Sequence, residues 1–175
     1  MIGNVKIEFS TPADANRWLA WRMEVLREVY GIPPGTDVSD LRRANISYFR
    51  AAMASGTHIS LHATVGGSRV GVADAVMQRE LPAPDNPTGR SAYIMNVYVR
   101  EEWRGHGIGR EMVDCLIEEA VLRGAGKIYL ESTETGRPFY ESLGFRDMKD
   151  MMALPQARLR GECKNRMPRV LVGLI

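Results

Sequence analysis

The sequence predicts an α/β protein whose sheet mixes antiparallel and parallel strands. Residues 59–65 and 70–76 are short, apolar-rich segments on either side of a Gly66-Gly67 turn, which indicates a β-hairpin. Further along, the strand-like segments 93–99 and 127–131 enclose an amphipathic helical segment. A strand, a helix and a second strand joined by short connections favour parallel pairing through a right-handed crossover. The two patterns together therefore predict both kinds of strand pairing.

The N-terminal third of the chain predicts one strand and two helices. Residues 5–9 alternate apolar and polar side chains, as a half-buried strand does. Thr11 followed by Pro12 is a common helix start. Apolar residues then recur at helical spacing, at Trp18, Leu19, Met23, Leu26 and Tyr30. The segment 31–37, with its glycines and prolines, ends that helix, and a second helix follows over about 39–54.

The remaining predicted elements follow a proline-rich loop over residues 81–90. Segment 93–99 is apolar on both faces, which favours a central strand. The helix after it carries apolar residues at Met112, Val113, Leu116, Ile117, Ala120 and Val121. Beyond the strand at 127–131, residues 136–143 predict a short helix, and residues 151–154 are a candidate for one more strand.

Length and composition predict one domain over residues 1–154, followed by an extension over 155–175 with no assigned role. The chain has 175 residues, 45% hydrophobic and 25% charged, which is ordinary for a globular protein. A net charge of +2 is too small to favour a nucleic-acid or membrane partner. No stretch is apolar enough for a membrane span, and the first residues lack a signal-peptide pattern. With only Cys115 and Cys163, the sequence predicts no disulfide framework, so we expect a reduced, cytoplasmic protein.

The segment Arg104-Gly-His-Gly-Ile-Gly-Arg110 is the clearest chemical signal in the chain, and it lies between a strand and a helix. Gly105, Gly107 and Gly109 allow consecutive backbone amides to approach a ligand without a Cβ atom in the way. The helix N-terminus adds free N–H groups and the positive end of its dipole, and the arginines at both ends of the segment add charge. The segment therefore predicts a site for a pyrophosphate group.

Other phosphate-binding motifs do not fit this segment. A Rossmann fingerprint needs a third glycine where the chain has Arg110, and a Walker A loop needs a Gly-Lys-Ser/Thr ending that is absent. The pattern that fits is Arg/Gln-x-x-Gly-x-Gly/Ala, filled by Arg104, Gly107 and Gly109. A tight turn that uses glycine only for packing is the competing structural explanation.

Together with a second segment downstream, this pattern resembles the GNAT superfamily of N-acetyltransferases, which use acetyl-CoA. The second segment of that superfamily reads Asn-x-x-Ala-x-x-aromatic-Tyr-x-x-x-Gly-Phe. This chain has Tyr140, Gly144 and Phe145 at the matching positions. Thr133 stands in place of the asparagine and Gly136 in place of the alanine. The resemblance is firm from the central strand to the end of this segment.

The resemblance implies a twisted mixed sheet flanked by helices, whose central parallel strands splay apart around the pantetheine arm of acetyl-CoA. Backbone groups of Val97 and Val99 would bond the amides of that arm and point at the thioester carbonyl. The implied cofactor-binding residues are Val97, Tyr98, Val99, Arg104, Gly105, His106, Gly107, Ile108, Gly109, Arg110 and Thr133. His58 and His62 share a strand face but do not complete a metal site, so we expect no metal.

Acetyl transfer to an amine requires that the amine lose a proton, that the carbonyl be polarised and that the departing thiolate be protonated. Tyr140 matches the acid of the superfamily, and core packing is its alternative role. Asn96 lies where it could contact the acceptor or orient a water molecule. Candidates for the base are Asp74, Glu24, Glu28, Glu131 and a chain of water molecules. A salt bridge is the favoured role of Asp74, and a solvated helix face that of the two helical glutamates.

The sequence therefore predicts an acetyl-CoA-dependent N-acetyltransferase that acts on a primary amine of a small molecule or a peptide. The attack would be direct, in a ternary complex, because neither cysteine is a convincing nucleophile. The alternatives are a CoA-binding regulatory or interaction module of the same fold without turnover, and a purely structural α/β protein. CoA binding without thioester consumption would indicate the first, and no CoA binding the second. A homodimer is also expected, with the apolar residues 170–175 as one contact.

Overall fold

The computed structural model describes residues 4–149 and 151–153, which form a five-stranded sheet with helices packed on both faces. The strands are β1 (Val5–Phe9), β2 (His58–Val65), β3 (Ser68–Arg79), β4 (Arg90–Val99) and β5 (Lys127–Leu130). The helices are α1 (Ala15–Val29), α2 (Ser39–Ala54), α3 (Ile108–Leu122) and α4 (Arg137–Ser142). None of the helices in this part of the chain has the length and apolar character to cross a membrane.

The strands lie in the sheet in the order of the chain, from β1 to β5. Neighbouring strands from β1 to β4 are antiparallel, whereas β4 and β5 are parallel. The predicted mixed sheet is therefore confirmed, as are the hairpin of β2 and β3 and the interior position of β4. The parallel pair is short and runs from Ser91 beside Lys127 to Ile94 beside Leu130.

Helix α3 crosses one face of the sheet and closes the main hydrophobic core. Its buried side chains are Ile108, Met112, Val113, Leu116 and Ala120. They pack against apolar side chains of β2, β3 and β4. Gly71 on β3 permits this close approach, because a Cβ atom there would lie only 2.8 Å from the Met112 Cε atom. Each large buried side chain contributes about 1.5–3 kcal/mol, so this layer fixes the start of α3 against β4.

Helices α1 and α2 cover the other face of the sheet. Trp18 of α1 stacks on Phe49 of α2, with ring centroids 4.3 Å apart. Further along α1, a second cluster packs on the sheet, and its members are Trp21, Val25, Val72 and Tyr98. The same face buries three polar side chains, His58, Ser60 and Asp74. The two faces therefore differ in chemistry, since the α3 face is apolar and this one mixes aromatic and polar groups.

The predicted start of the first helix is a 3-10 turn, Pro12–Asp14, that leads into α1. The Asp14 carboxylate accepts hydrogen bonds from the backbone N–H and the hydroxyl of Thr11, both at 2.8 Å. These bonds, with a smaller contribution from Arg17, lower the pKa of Asp14 to about 2. Capping of this kind satisfies N–H groups that the helix itself cannot pair.

Several strands begin or end a few residues away from their predicted positions. Strands β3 and β4 extend beyond their predicted ends at residues 76 and 93 and pair as far as Arg79 beside Arg90, because polar side chains are tolerated at an exposed strand end. The fifth strand ends one residue earlier than predicted, at Leu130. Residues 151–153 lie outside any strand, so that part of the predicted extra strand is wrong. Leu154 and the extension 155–175 lie outside the described residues.

Candidate active site

The glycine-rich segment forms the turn between β4 and α3. Gly105 and Gly107 have φ angles of 77° and 83°, a left-handed conformation that residues with a Cβ atom rarely adopt. A Cβ atom at either position would meet no other protein atom within 4 Å, so the turn faces open space. The Glu111 N–H bonds to the Gly107 oxygen at 3.0 Å, and the amides before it have no acceptor within the helix. The turn therefore presents free N–H groups at the positive end of α3.

The charged residues of this turn are tied to neighbouring elements. Arg104 donates from Nε to the Val99 oxygen at 2.9 Å, and its guanidinium lies 3.5 Å from Glu28 of α1. Arg110 donates to the Ser142 hydroxyl at 2.8 Å and so links α3 to the end of α4. His106 is exposed, while Ile108 is buried in the main core. Gly109 lies against the Phe139 ring and Val99, where α3, α4 and β4 meet.

A gap opens in the sheet beside this turn. Pairing between β4 and β5 stops at Ile94 and Leu130, while β4 continues to Val99. The Arg100 N–H donates to a carbonyl oxygen of β3 at 2.9 Å. Because peptide groups alternate in direction along a regular strand, the N–H of the preceding residue, Val99, points away from β3 and toward the gap. The Val99 N–H, one of the groups that the sequence assigned to the pantetheine arm, is therefore directed toward the gap, whereas the Val99 oxygen accepts a hydrogen bond from Arg104.

Tyr140 lies on α4 between two other aromatic rings, with centroids 5.0 Å from Phe139 and 6.0 Å from Phe145. Its ring packs on the main core, and this burial raises the pKa of its hydroxyl above 10. The phenol is thus protonated at neutral pH and able to donate. Thr133 accepts the Gly136 N–H at 3.1 Å through its hydroxyl, which fixes the start of the helix that carries Tyr140.

Comparison with known proteins assigns this chain to a family. The model of the acetyltransferase (GNAT) family matches residues 16–145. The chain belongs to this family. A glucosamine 6-phosphate N-acetyltransferase from Trypanosoma brucei brucei is 31% identical to it over 136 residues, which are 78% of this chain and 88% of the relative. An aminoglycoside 2'-N-acetyltransferase from Mycolicibacterium fortuitum is 40% identical over 72 residues, which are 41% of this chain and 35% of that protein.

Solved structures agree with this assignment. The crystal structure of a predicted acetyltransferase from Clostridium acetobutylicum with acetyl-CoA has a TM-score of 0.78 and 27% sequence identity to the chain. The match covers 89% of this chain and 98% of that one. The GNAT fold expected from the sequence is confirmed, and so are the N-acetyltransferase class and the use of acetyl-CoA.

The residues of this GNAT protein fit acetyl-CoA at two places. The open left-handed glycines and the free amides at the start of α3 suit the pyrophosphate, because a Cβ atom would occupy the space that a phosphate oxygen needs. The gap beside β4 offers the Val99 N–H, which suits an arm that carries amides. Where each of the eleven predicted cofactor-binding residues contacts the cofactor stays a prediction.

The two glutamates of α1 are engaged by partners on β4 and the turn. Glu24 lies 2.7 Å from Arg100. Glu28 accepts the Tyr98 hydroxyl and also faces Arg104. Burial first, and then the bond to Glu28, raises the pKa of Tyr98 to about 12, so its hydroxyl stays a donor at physiological pH. Both glutamates remain exposed, as the predicted solvated helix face requires, and their ion pairs join α1 to the end of β4 and the glycine turn.

Asn96, the other predicted catalytic residue, lies on β4 just beyond the last residue that pairs with β5. Both ends of its side-chain amide form hydrogen bonds. It donates to Asp74 through Nδ2 and accepts from Arg22, whose Nη1 is 2.5 Å from its Oδ1. Asp74 also lies 3.4 Å from His58, a contact that the sequence did not predict. Sequence reasoning missed Arg22, whose pKa burial lowers, because 74 positions separate it from Asn96 and no local pattern marks it.

Proposed function

We propose that this enzyme transfers the acetyl group of acetyl-CoA to a primary amine of a small molecule by direct attack within a ternary complex. The observation that carries the proposal is the gap between β4 and β5, which lies between the open glycine turn and the helix that bears Tyr140. The turn, the gap and α4 are proposed to supply a phosphate cradle, backbone donors and a protonated phenol.

Each group has a defined part in this proposal. Acetyl-CoA supplies an acetyl group activated as a thioester: the amine nitrogen bonds to the carbonyl carbon, the carbon–sulfur bond breaks, and the proton that the amine loses passes to water. The Val97 N–H donates a hydrogen bond to the carbonyl oxygen as negative charge develops there, a contribution of about 3 kcal/mol in comparable sites. Tyr140 gives its proton to the departing sulfur, and a positioned acid of this kind is worth about 10²- to 10⁴-fold in rate. The free turn amides and the dipole of α3 hold the pyrophosphate.

The relatives support a small-molecule acceptor. Their names describe N-acetyltransferases of glucosamine 6-phosphate, thialysine and aminoglycosides, all of which are compact amines. Within this chain, the acceptor would approach the gap from the face covered by α1 and α2. Polar side chains at Arg22, Asn96 and Tyr30 border that side.

Direct attack is favoured over an acetylated enzyme by the state of the cysteine. Cys115 lies within α3 against the main core, and burial, followed by nearby carboxylates, raises the pKa of its thiol. A thiol held in its neutral form is a poor nucleophile. Cys163 lies outside the described residues.

The test is a screen of the purified enzyme with acetyl-CoA and a panel of amino sugars, polyamines, aminoglycosides, lysine analogues and lysine-containing peptides. Release of free CoA thiol is measured, and mass spectrometry checks for an amine that is heavier by one acetyl group. We expect at least one amine to be acetylated, with initial rates that depend on both substrates in an intersecting pattern. A ping-pong pattern would contradict direct attack, and an acetylated peptide substrate alone would contradict the small-molecule acceptor.

Two sequence predictions stay predictions at this point. One is a cytoplasmic location. The other is a homodimer, whose suggested contact at residues 170–175 lies outside the described part of the chain. Measurement of the mass in solution by light scattering tests the second.

A further inference from the structure

Asn96 has an unusual backbone conformation. It is the single non-glycine residue with a positive φ angle, 55°, within 4–149 and 151–153. It lies where the register between β3 and β4 shifts, because Val72 pairs with Tyr98 but Asp74 pairs with Met95. Two residues of β4 therefore face one residue of β3, which is the definition of a β-bulge. The left-handed conformation of a residue with a side chain lowers stability by about 1–2 kcal/mol, so other contacts must stabilise this bulge.

The Asn96 side chain is held at both ends of its amide. Its Nδ2 donates to the Asp74 carboxylate, and its Oδ1 accepts from Arg22 at 2.5 Å. A carboxylate only accepts and a guanidinium only donates, so these two partners permit a single orientation of the amide. Bonds that involve a charged group are stronger than neutral ones, especially away from water. The amide therefore fixes the backbone of its own residue relative to β3 and α1.

Asp74 is itself anchored beneath the bulge. It is 1% exposed, and both of its carboxylate oxygens lie 3.4 Å from the Trp18 indole nitrogen. The His58 Nε2 lies 3.4 Å from one of them. Burial of a carboxylate is costly without such partners. Trp18 belongs to α1 and His58 to β2, so these contacts connect the bulge to both elements.

We propose that Asp74 is a positioning residue for the reaction, which acts through Asn96 to hold the β4 bulge so that the next N–H, that of Val97, points into the gap. This inference rests on the proposed function, in which that N–H stabilises the charge on the acetyl oxygen. A donor of this kind works only when its direction is fixed before the reaction, because reorientation during the reaction would consume the energy it supplies. Arg22 assists by fixing the other end of the amide.

The same geometry separates this role from that of a general base. A base must reach the amine proton directly or through water. Asp74 is enclosed by Asn96, Trp18 and His58, and the Asn96 amide does not relay a proton at neutral pH. If Asp74 were a base, it would act regardless of the residue at position 96. If Asp74 is a positioning residue, its effect requires the Asn96 side chain. That difference makes the two roles separable by experiment.

The experiment compares Asp74→Asn in two backgrounds, the natural chain and Asn96→Gly. Glycine adopts the left-handed conformation without strain but has no side chain for Asp74 to hold. We expect Asp74→Asn to lower kcat by about tenfold to a hundredfold in the natural chain, with KM for acetyl-CoA changed less than twofold. In the Asn96→Gly background the same substitution is expected to change kcat less than twofold.

A second readout does not need activity. Amide hydrogen exchange over residues 95–99 is followed by mass spectrometry in the enzyme without cofactor, and we expect faster exchange in Asp74→Asn and in Asn96→Ala. The matched control is Ser60→Ala, since Ser60 is a buried polar residue that faces Asp74 across the β2–β3 pair, and its hydroxyl bonds to Ser10 rather than to Asn96. Exchange over 95–99 should stay unchanged in that control.

Two results would overturn the proposal. Equal losses of kcat from Asp74→Asn in both backgrounds would show that Asp74 acts independently of Asn96. Unchanged exchange over 95–99 in an Asp74→Asn variant that melts normally would show that Asp74 does not hold the bulge. If no amine is acetylated by the natural enzyme, the proposed function fails by itself, and the exchange experiment still decides whether the bulge is held.

Discussion

Tyr140 has an observed packing role and a proposed chemical role. Its ring lies among Phe139, Phe145 and the main core, so the side chain has little freedom to move. The same burial disfavours the phenolate and raises the pKa of the hydroxyl. A phenol with a raised pKa is a weaker acid, yet it is fully protonated at every pH where the enzyme would operate. Burial thus keeps on the hydroxyl the proton that the proposed reaction would give to the thiolate.

Tyr140→Phe tests this role, because it keeps the ring and removes the proton. We expect turnover to fall by about tenfold to a thousandfold, while the affinity for acetyl-CoA changes little, since the hydroxyl acts mainly as the carbon–sulfur bond breaks. Steady-state kinetics with an accepted amine, together with a thermal melt, measures both effects. Normal turnover in a folded variant would mean that Tyr140 is a packing residue and that water protonates the sulfur.

Gly107 has a backbone conformation that favours glycine over residues with a side chain. Its φ angle of 83° is strained for residues with a side chain, and it directly precedes the first residue of α3. Because a Cβ atom there would meet no protein atom, a substitution alters the open surface rather than the core.

Gly107→Asp is expected to abolish CoA binding, and Gly107→Asn is its matched control. The two side chains have nearly the same shape and tolerate the left-handed region to a similar degree, so the backbone strain is shared. Only the aspartate adds a negative charge where the pyrophosphate is expected. We predict at least a tenfold lower CoA affinity for the aspartate variant than for the asparagine variant, measured by calorimetric titration. Equal affinities of the two variants would contradict the phosphate assignment.

At the scale of elements, β4 changes partners along its length. Its first half pairs with β3 on one side and β5 on the other, while its second half pairs with β3 alone. The glycine turn and α3 follow directly at its end. A single strand therefore passes from the interior of the sheet to the edge of a gap, and its last residues have no neighbouring strand on the side of β5.

Val99→Pro tests whether those peptide groups bind the cofactor. The Val99 N–H points away from β3, so proline removes a donor without removing a bond between β3 and β4. Loss of one hydrogen bond is worth about 1–1.5 kcal/mol, and we expect about a tenfold lower CoA affinity. Val99→Ala is the control, because it trims the side chain but keeps the N–H. Similar affinities for a folded proline variant and the alanine variant would argue against the pairing.

At the scale of the whole molecule, the two faces of the sheet have separate tasks. The face under α3 is apolar and supplies stability through a continuous core. The face under α1 and α2 carries the buried polar cluster around Asp74 and leads to the gap. Packing of α1 and α2 on each other, through the stack of Trp18 on Phe49, sets the position of Arg22 over β4.

Phe49→Ala is expected to destabilise the fold by about 3–5 kcal/mol, because the Phe49 side chain is completely buried and its loss leaves a cavity under α1. Phe9→Ala is the matched control, since Phe9 on β1 is 50% exposed, and its cost should be less than about 1 kcal/mol. Urea denaturation gives the free energy of unfolding for both variants. If both variants lose a similar free energy of unfolding, the packing of α1 on α2 contributes less to stability than the buried ring indicates.

The sequence by itself determined the features that depend on neighbouring residues. The described strands and helices could be predicted from periodicity, because one-sided burial imposes a repeat of two residues on a strand and 3.6 on a helix. The ends of β3 and β4 could not be predicted in this way, because exposed strand ends carry polar side chains that are also typical of loops. The glycine turn could be predicted too, because Gly105 and Gly107 perform their role through their own backbone conformation.

Only the tertiary structure decided which distant groups meet. The bulge at Asn96 is a shift of one residue in the register between two strands, and no local pattern records it. The contacts of Asn96 with Arg22 and Asp74 depend on that shift and on where α1 crosses the sheet. The gap likewise exists because β5 ends early while β4 continues. Register and crossing position are set by the packing of the whole core, which is why these features required the folded chain.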